Sequence, residues 1–318
     1  MKTAENVCST GIRIKDKKLT WKRSWQKYKY LYFLILPGLV YLIIFRYIPM
    51  YGLAIAFQDF TVFGGVFGSP FAGLKNFKTL MSNTLFWQAF VNTIRISGLK
   101  LIFAFPAPIV FALLLNEIFH PKYRRVVQTI SYLPHFVSWV VLAGLLDVFI
   151  NSSNGVLIML LKSLKFNPPN IMTSNTWFVP MLIVTDIYKN VGYSSIVYLA
   201  AISSIDLGLY ESAVIDGASR FRQVWHITIP SMLPIICILL IFNLGNILDG
   251  GFSQIFVLYN SLVYRTADII DTYVYRVGIV SSDYSIGAAA QFFKSLIGMF
   301  LIIGANYTVR LFDQKGLW

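Results

Sequence analysis

Arg46, Arg95, Lys100, Lys189 and Lys294, with the carboxylates Asp147, Asp186 and Asp249, lie inside or at the ends of long apolar runs. A charge at mid-depth in a bilayer is costly, so each must snorkel, pair or line a polar cavity. Three groups join such charges to amides and rings: Asp186-Tyr188-Lys189-Asn190-Tyr193, Asn243-Asn246-Asp249-Phe252 and Gln291-Lys294. Groups of this kind bind and pass a polar solute. Asn190, Asn243 and Asn246 equally suit hydrogen bonds between helices. Lys189 and Lys294 can snorkel or pair with Asp186 or Asp249.

Covalent chemistry has little to work with. The loops hold no convergent acid, base and metal-ligand set. Cys8 and Cys237 fall far apart and the three histidines are scattered, so neither a disulfide framework nor a metal site is expected. The chain has no Gly-x4-Gly-Lys-Ser/Thr phosphate loop and is not itself a standard ATPase. Gly64-Gly65, Gly68-Ser69-Pro70 and Gly73 read as an ordered loop rather than a phosphate cradle, because no helix start follows in place.

The elements that position these residues are apolar runs. Hydrophobic residues make up 56% of the 318 and charged ones 13%, a balance outside the ordinary soluble class. Candidate spans are Leu31–Phe57, Phe90–Leu115, Ile130–Ile150, Phe178–Ala201, Leu233–Leu248 and Ala288–Val309. The expectation is an all-α, polytopic membrane protein with six transmembrane helices. The fifth run is short and extends either back toward Pro230 or on through Asp249-Gly250-Gly251. Pro106 and Pro108 can kink the second.

Net charge is +13, and nine of the 27 basic residues fall between Lys2 and Lys29. That placement suits a cytoplasmic tail at an anionic leaflet rather than a nucleic-acid surface. With six spans, one side carries 16 Lys and Arg and the other 6. The positive-inside rule puts both termini in the cytoplasm. The leader lacks the form of a cleaved signal peptide, so the first run is read as a retained helix. Residues 1–30 form the basic tail, 31–88 the first helix and an extracytoplasmic loop, and 89–318 a five-helix core.

One hydrophilic segment, 202–232, is long for a helix connection. Asp206 or Ser204 can cap a first short helix through Tyr210 to Asp216, with a bend at Gly217. Ser219 can cap a second that stops before Pro230. On pattern alone this is equally an amphipathic connector resting on the bilayer.

The residues carry more than the pattern. Glu211-Ser212-Ala213, three residues, Gly217, nine residues, then Ile227, Ile229 and Pro230 resemble the Glu-Ala-Ala signature of binding-protein-dependent ABC importer permeases. Ser212 and Ile229 depart from its Ala and Leu. Gly192 with Leu199-Ala200-Ala201, Ile205 and Asp216-Gly217-Ala218 resemble the maltose and multiple-sugar group. Asn92-Thr93, Ala112 through Glu117, and Tyr132-Leu133-Pro134 fit its oligosaccharide-type members, and the likeness covers roughly residues 30–315.

The resemblance implies a type I importer permease fold and a place in the bacterial cytoplasmic membrane. It implies a second homologous permease, two ATPase subunits holding ATP and Mg2+, and an extracytoplasmic solute-binding protein. This chain would bind no cofactor. Glu211, Ser212, Ala213, Asp216 and Gly217 would couple the spans to the ATPase, and the outside loops would meet the binding protein. The cargo would be an oligosaccharide. Tyr188, Tyr193, Phe252, Phe256 and Tyr284 offer aromatic faces to it, although Tyr284 equally suits an interfacial belt. Lys189 and Lys294, where exposed to the pathway, would favour an acidic sugar. The rival readings are an ion-coupled secondary transporter using Asp147, Asp186 and Asp249, and a membrane-embedded transferase.

Overall fold

The computed structural model describes residues 21–151, 155–166 and 169–311. Most of the basic tail, including Cys8, and the last residues of the chain lie outside them. The chain divides into two units, Met1–Gly52 and Leu53–Trp318.

In the first unit, helix α1 spans Trp21–Leu42 and begins ahead of the expected Leu31. It runs on into a π-turn at Ile43–Tyr47. From Tyr30 to Leu42 its large apolar side chains are exposed, as lipid requires.

Among its described residues the regular structure of the second unit is helical, with an isolated bridge between Gln58 and Phe71 as the β pairing. Helices satisfy their backbone groups internally, which is why apolar runs of this length take that form in lipid. The main elements are α2 (Lys75–Met81), α3 (Thr84–Phe103), α4 (Pro106–Asn116), α5 (Pro121–Tyr132), α6 (Trp139–Ile150) and α7 (Phe178–Ser203). After them come α8 (Leu207–Ile215), α9 (Arg220–Gln223), α10 (Ile229–Gly245), α11 (Phe252–Leu258), α12 (Ile270–Val274) and α13 (Tyr284–Leu311).

Four stretches are long and apolar enough to cross a membrane: Tyr28–Phe57, Thr84–Asn116, Arg220–Gly245 and Tyr284–Gly304. Two bent pairs bring the count to as many as six where each pair is one span. Pro121–Phe136 with Trp139–Ile150 turns through 103°, and Phe178–Ser203 with Leu207–Ile215 through 70°.

The third candidate span, Ile130–Ile150, is broken by a corner. Pro134 ends the first helix in a short 3-10 turn, Val137 is extended, and Ser138 caps α6 by accepting from the Val141 amide. The fifth span resolves toward Pro230. Its helix starts at Arg220 and ends at Gly245, ahead of a 3-10 turn and the left-handed Gly250 and Gly251. The second short helix of the loop consequently does not stop before Pro230. A π-turn at Val224–Thr228 carries it into α10, and Pro230, which has no amide to donate, follows directly on that turn.

Small residues let these helices approach. Ala112, Leu115, Tyr198, Leu199, Ile202 and Met232 form one buried cluster joining α4, α7 and α10. Ala56, Leu80, Phe86, Ala89, Tyr273, Ala289 and Ala290 form another around α3 and α13. Polar bonds fix the segment before α12 to α3. The Asn92 amide donates to the carbonyls of Arg265 and Asp268, each at 3.1 Å, and the Ile270 amide donates to Thr93 Oγ1 at 2.9 Å. Arg276 closes this region with a two-pronged pair onto buried Asp268, at 3.0 and 2.6 Å.

Candidate functional site

Where α3, α7 and α10 meet, polar side chains converge on a cavity of about 430 Å³. Asn190 and Tyr193 face it from α7, Asn243 and Asn246 from the end of α10, Lys100 from α3, and Asp186 from one turn before Asn190. Asn243 and Asn246 each donate to a carbonyl four residues back, Leu239 and Phe242, at 3.1 Å. They are not glue between helices among the described residues. Asn190 is anchored: its nitrogen donates to Asp186 at 3.0 Å, and its oxygen accepts from His135 Nδ1 at 3.0 Å. His135 in turn stacks on Tyr193, with ring centroids 3.9 Å apart.

Two lysines with a part in the sequence-based pathway are spoken for. Lys189 is 7% exposed, and its ammonium donates to the carbonyls of Pro134, His135 and Val137 at the break between α5 and α6. It caps the break and does not line the cavity. Gly192 packs one turn along on the same helix, where a Cβ would lie 2.1 Å from the Ser131 carbonyl oxygen.

Lys294 is neutralised twice, by Asp249 at 2.7 Å and by Asp271 at 2.8 Å. Burial pushes the Asp271 carboxyl above the usual carboxylate range, and the Lys294 ammonium opposes that shift. The pairing of Lys294 with Asp249 was open from sequence, whereas Asp271 was unforeseen. Neither lysine is an unpaired cation, so the acidic preference inferred from them has no support here.

The remaining candidates scatter. Tyr188 is exposed away from the cavity. Asp249, Phe252 and Lys294 line a neighbouring cleft of about 650 Å³, and Gln291 faces another beside α13. Phe252 and Phe256 pack on each other at 5.2 Å, and Tyr284 packs edge-on against Phe60. Asp147 accepts from Asn151 at 2.8 Å. Cys237 is a free thiol. Among the described residues no group of three His, Cys, Asp or Glu could hold a metal. Sequence reasoning flagged Lys100 only as an in-span charge to be accounted for and passed over His135 and Gln254; all three sit on or behind the cavity wall.

The 202–232 loop is a hairpin of short helices. Asp206 caps α8, accepting from the Gly208 amide at 2.9 Å, and Ser219 caps α9, accepting from the Arg222 amide at 3.4 Å. Gly217 turns the chain between them at φ +74°, a conformation an L side chain resists. Tyr210 OH meets Thr228 Oγ1 at 2.9 Å and Gln223 donates to the Ala218 carbonyl at 3.1 Å, so the hairpin is braced internally. Arg220 ties it to the end of α4, pairing with Glu117 at 3.0 Å and covering the Phe119 ring at 4.6 Å. Its outer surface is apolar and bare: Leu207, Ile215 and Phe221 are 73, 86 and 74% exposed. Glu211, Ser212 and Asp216 are exposed beside them, and Ala213 is half-buried.

A polytopic helical protein with a polar cavity between its spans and a braced, exposed helix hairpin in the connection between two of them has the architecture of a membrane permease subunit. Residues 104–315 match the family described as binding-protein-dependent transport system inner membrane component, and the chain belongs to it. The chain is 41% identical to protein LplB of Bacillus subtilis strain 168 over 318 residues, all of both chains. It is 39% identical to that organism's polygalacturonan/rhamnogalacturonan transport system permease protein YteP, again over all of both chains. In the crystal structure of a bacterial ABC transporter that imports the acidic polysaccharide alginate, one chain superposes with a TM-score of 0.85 at 41% identity, covering 91% of this chain and 98% of that one. A bacterial alginate ABC transporter has also been solved in complex with an alginate pentasaccharide-bound periplasmic protein. The fold is that of the type I importer permeases, and the protein is a multi-pass permease of the inner membrane.

Proposed function

We propose that this chain is one permease subunit of an ATP-driven importer that carries acidic oligosaccharides, delivered by a solute-binding protein, into the cytoplasm. The exposed hairpin of α8 and α9 carries the reading. A bare apolar surface flanked by Glu211 and Asp216 marks an interaction site, and its bracing lets it move as a rigid lever. One of two ATPase subunits docks there, and the ATPases hydrolyse ATP with Mg2+; this chain supplies no ATPase site. Glu211 and Asp216 provide the polar contacts, with Ser212 beside Glu211, Ala213 the close-packing point and Gly217 the turn.

A second homologous permease completes the pathway. Both termini lie in the cytoplasm, and the glycine-rich loop near Gly64 faces the binding protein on the other side. Residues 1–30 form the tail, 31–88 the first helix and outer loop, and 89–318 the coupled core.

The acidic cargo is supported by full-length similarity to permeases named for polygalacturonan and alginate transport. It is no longer supported by Lys189 or Lys294.

The test is uptake of labelled uronate oligosaccharides into proteoliposomes holding both permeases, the ATPases and the binding protein. Uptake that needs ATP and ignores ionophores is expected. Uptake driven by an ion gradient without ATP would return the protein to the secondary transporters.

A further inference from the structure

Three lysines are built into the core spans, and they differ in how fully the protein satisfies them. Lys189 has three carbonyls and Lys294 two carboxylates. The Lys100 ammonium, among the described residues, makes one hydrogen bond, to Gln254 Oε1 at 2.7 Å. Gln254 is fixed with that oxygen forward, because its nitrogen donates to the Leu182 carbonyl and to Thr185 Oγ1 at 2.7 and 2.8 Å. The nearest carboxylate, Asp186, stands at 4.0 Å, beyond hydrogen-bond reach, and already accepts from Asn190. An ammonium has three donors, so two point elsewhere.

The elsewhere is the cavity of about 430 Å³, within the range of ligand sites. A cation left with spare donors at membrane depth is costly unless a ligand or water meets it. Apart from Asp186, the polar wall is neutral: Asn190, Asn243, Asn246, Ser97 and Ser194 offer hydrogen bonds, and Phe105, Tyr193 and Tyr198 offer rings.

We propose that Lys100 selects the cargo by charge, making a charge-assisted hydrogen bond to a sugar carboxylate in transit. Asp186 is its alternate partner, near enough to reclaim the ammonium as the sugar leaves. A pathway site must bind well enough to admit and weakly enough to release, and a competing carboxylate supplies the second half. The inference rests on the acidic-cargo reading above.

The experiment uses the complete importer in proteoliposomes with an oligogalacturonate as probe. Lys100→Gln keeps a hydrogen-bonding side chain but removes the charge, and uptake is expected to fall about tenfold or more. Lys100→Arg, which keeps the charge, is expected to retain most of it. Gln254→Met breaks the Lys100 bond and the anchors behind it, and is expected to cost less than Lys100→Gln.

Wild-type uptake of the probe with Lys100→Gln unchanged overturns the inference alone, as does equal loss in the Arg variant. A loss in Gln254→Met as large as in Lys100→Gln overturns it too, since Lys100 would then only hold Gln254. A wild type that moves no uronate sugar overturns the cargo reading, and this inference with it. Should Lys100→Gln fail to assemble, Asp186→Asn decides: removal of the competitor is expected to lower KM for the probe, and a KM unchanged or raised overturns the assignment.

Discussion

The ammonium of Lys189 donates to the carbonyl of His135 at 2.7 Å, joining α7 to the break in the third span. That break leaves carbonyls without helical partners, and in a bilayer only protein groups can satisfy them. A cation at a helix C-terminus answers both the hydrogen bonds and the dipole.

Lys189→Met should therefore loosen the break, at a cost of about 1–3 kcal/mol for the orphaned carbonyls. Gly192→Ala should push α7 off Ser131 with a penalty of similar size. Thermal unfolding in detergent is expected to show both as lower melting temperatures. Wild-type stability in Lys189→Met would show that the carbonyls find water instead.

Lys294 and Asp271 form a pair that is largely buried on both sides. Lys294→Ala should destabilise the protein by about 3–5 kcal/mol, because it strands Asp271. Adding Asp271→Asn should recover much of that loss. The double variant is expected to keep its uptake of acidic sugar, since these residues do not face the cavity lined by Lys100. Selective loss of acidic uptake in the double variant would restore Lys294 to the pathway.

Glu211→Lys should release the ATPase subunits while leaving the permease inserted. Gly217→Val should strain the turn by about 1–2 kcal/mol, since φ is +74° there. Co-purification with the ATPases and ATP-dependent uptake are the readouts. Normal uptake in both variants would sink the coupling assignment.

The Arg220–Glu117 pair is exposed, and its effect on stability should stay under about 1 kcal/mol. Its expected effect is on transmission, because it fastens the hairpin to α4 and so to the cavity wall. Glu117→Arg should lower uptake per ATP hydrolysed, and the swap with Arg220→Glu should restore it. A swap no better than the single change would mean the pair carries no motion.

How far the sequence led depends on distance along the chain. Asp206 and Ser219 were readable as caps because a cap acts within three residues, and Gly217 as a bend for the same reason. The six apolar runs were readable because lipid imposes their length. The 103° break was not, since Pro134 inside an apolar run is as compatible with a kinked span as with a corner. Asp271 was assigned to an outer loop and Lys294 to a span 23 residues later, and only the fold brings them together. Lys100 was visible as a charge within a span, but nothing local separated it from Lys189. The difference between them is what each meets across the bundle, three carbonyls against one amide.

Asn243 and Asn246 spend their amide nitrogens on carbonyls of their own helix. Bonds of that kind can be traded for a passing hydroxyl without loosening one helix from another. On the proposed pathway such a wall would tolerate differences of ring stereochemistry and linkage, and would serve successive sugar units of one chain. Discrimination falls instead to its fixed charges, and a mixed diet of uronate polymers is what such a lining would accommodate.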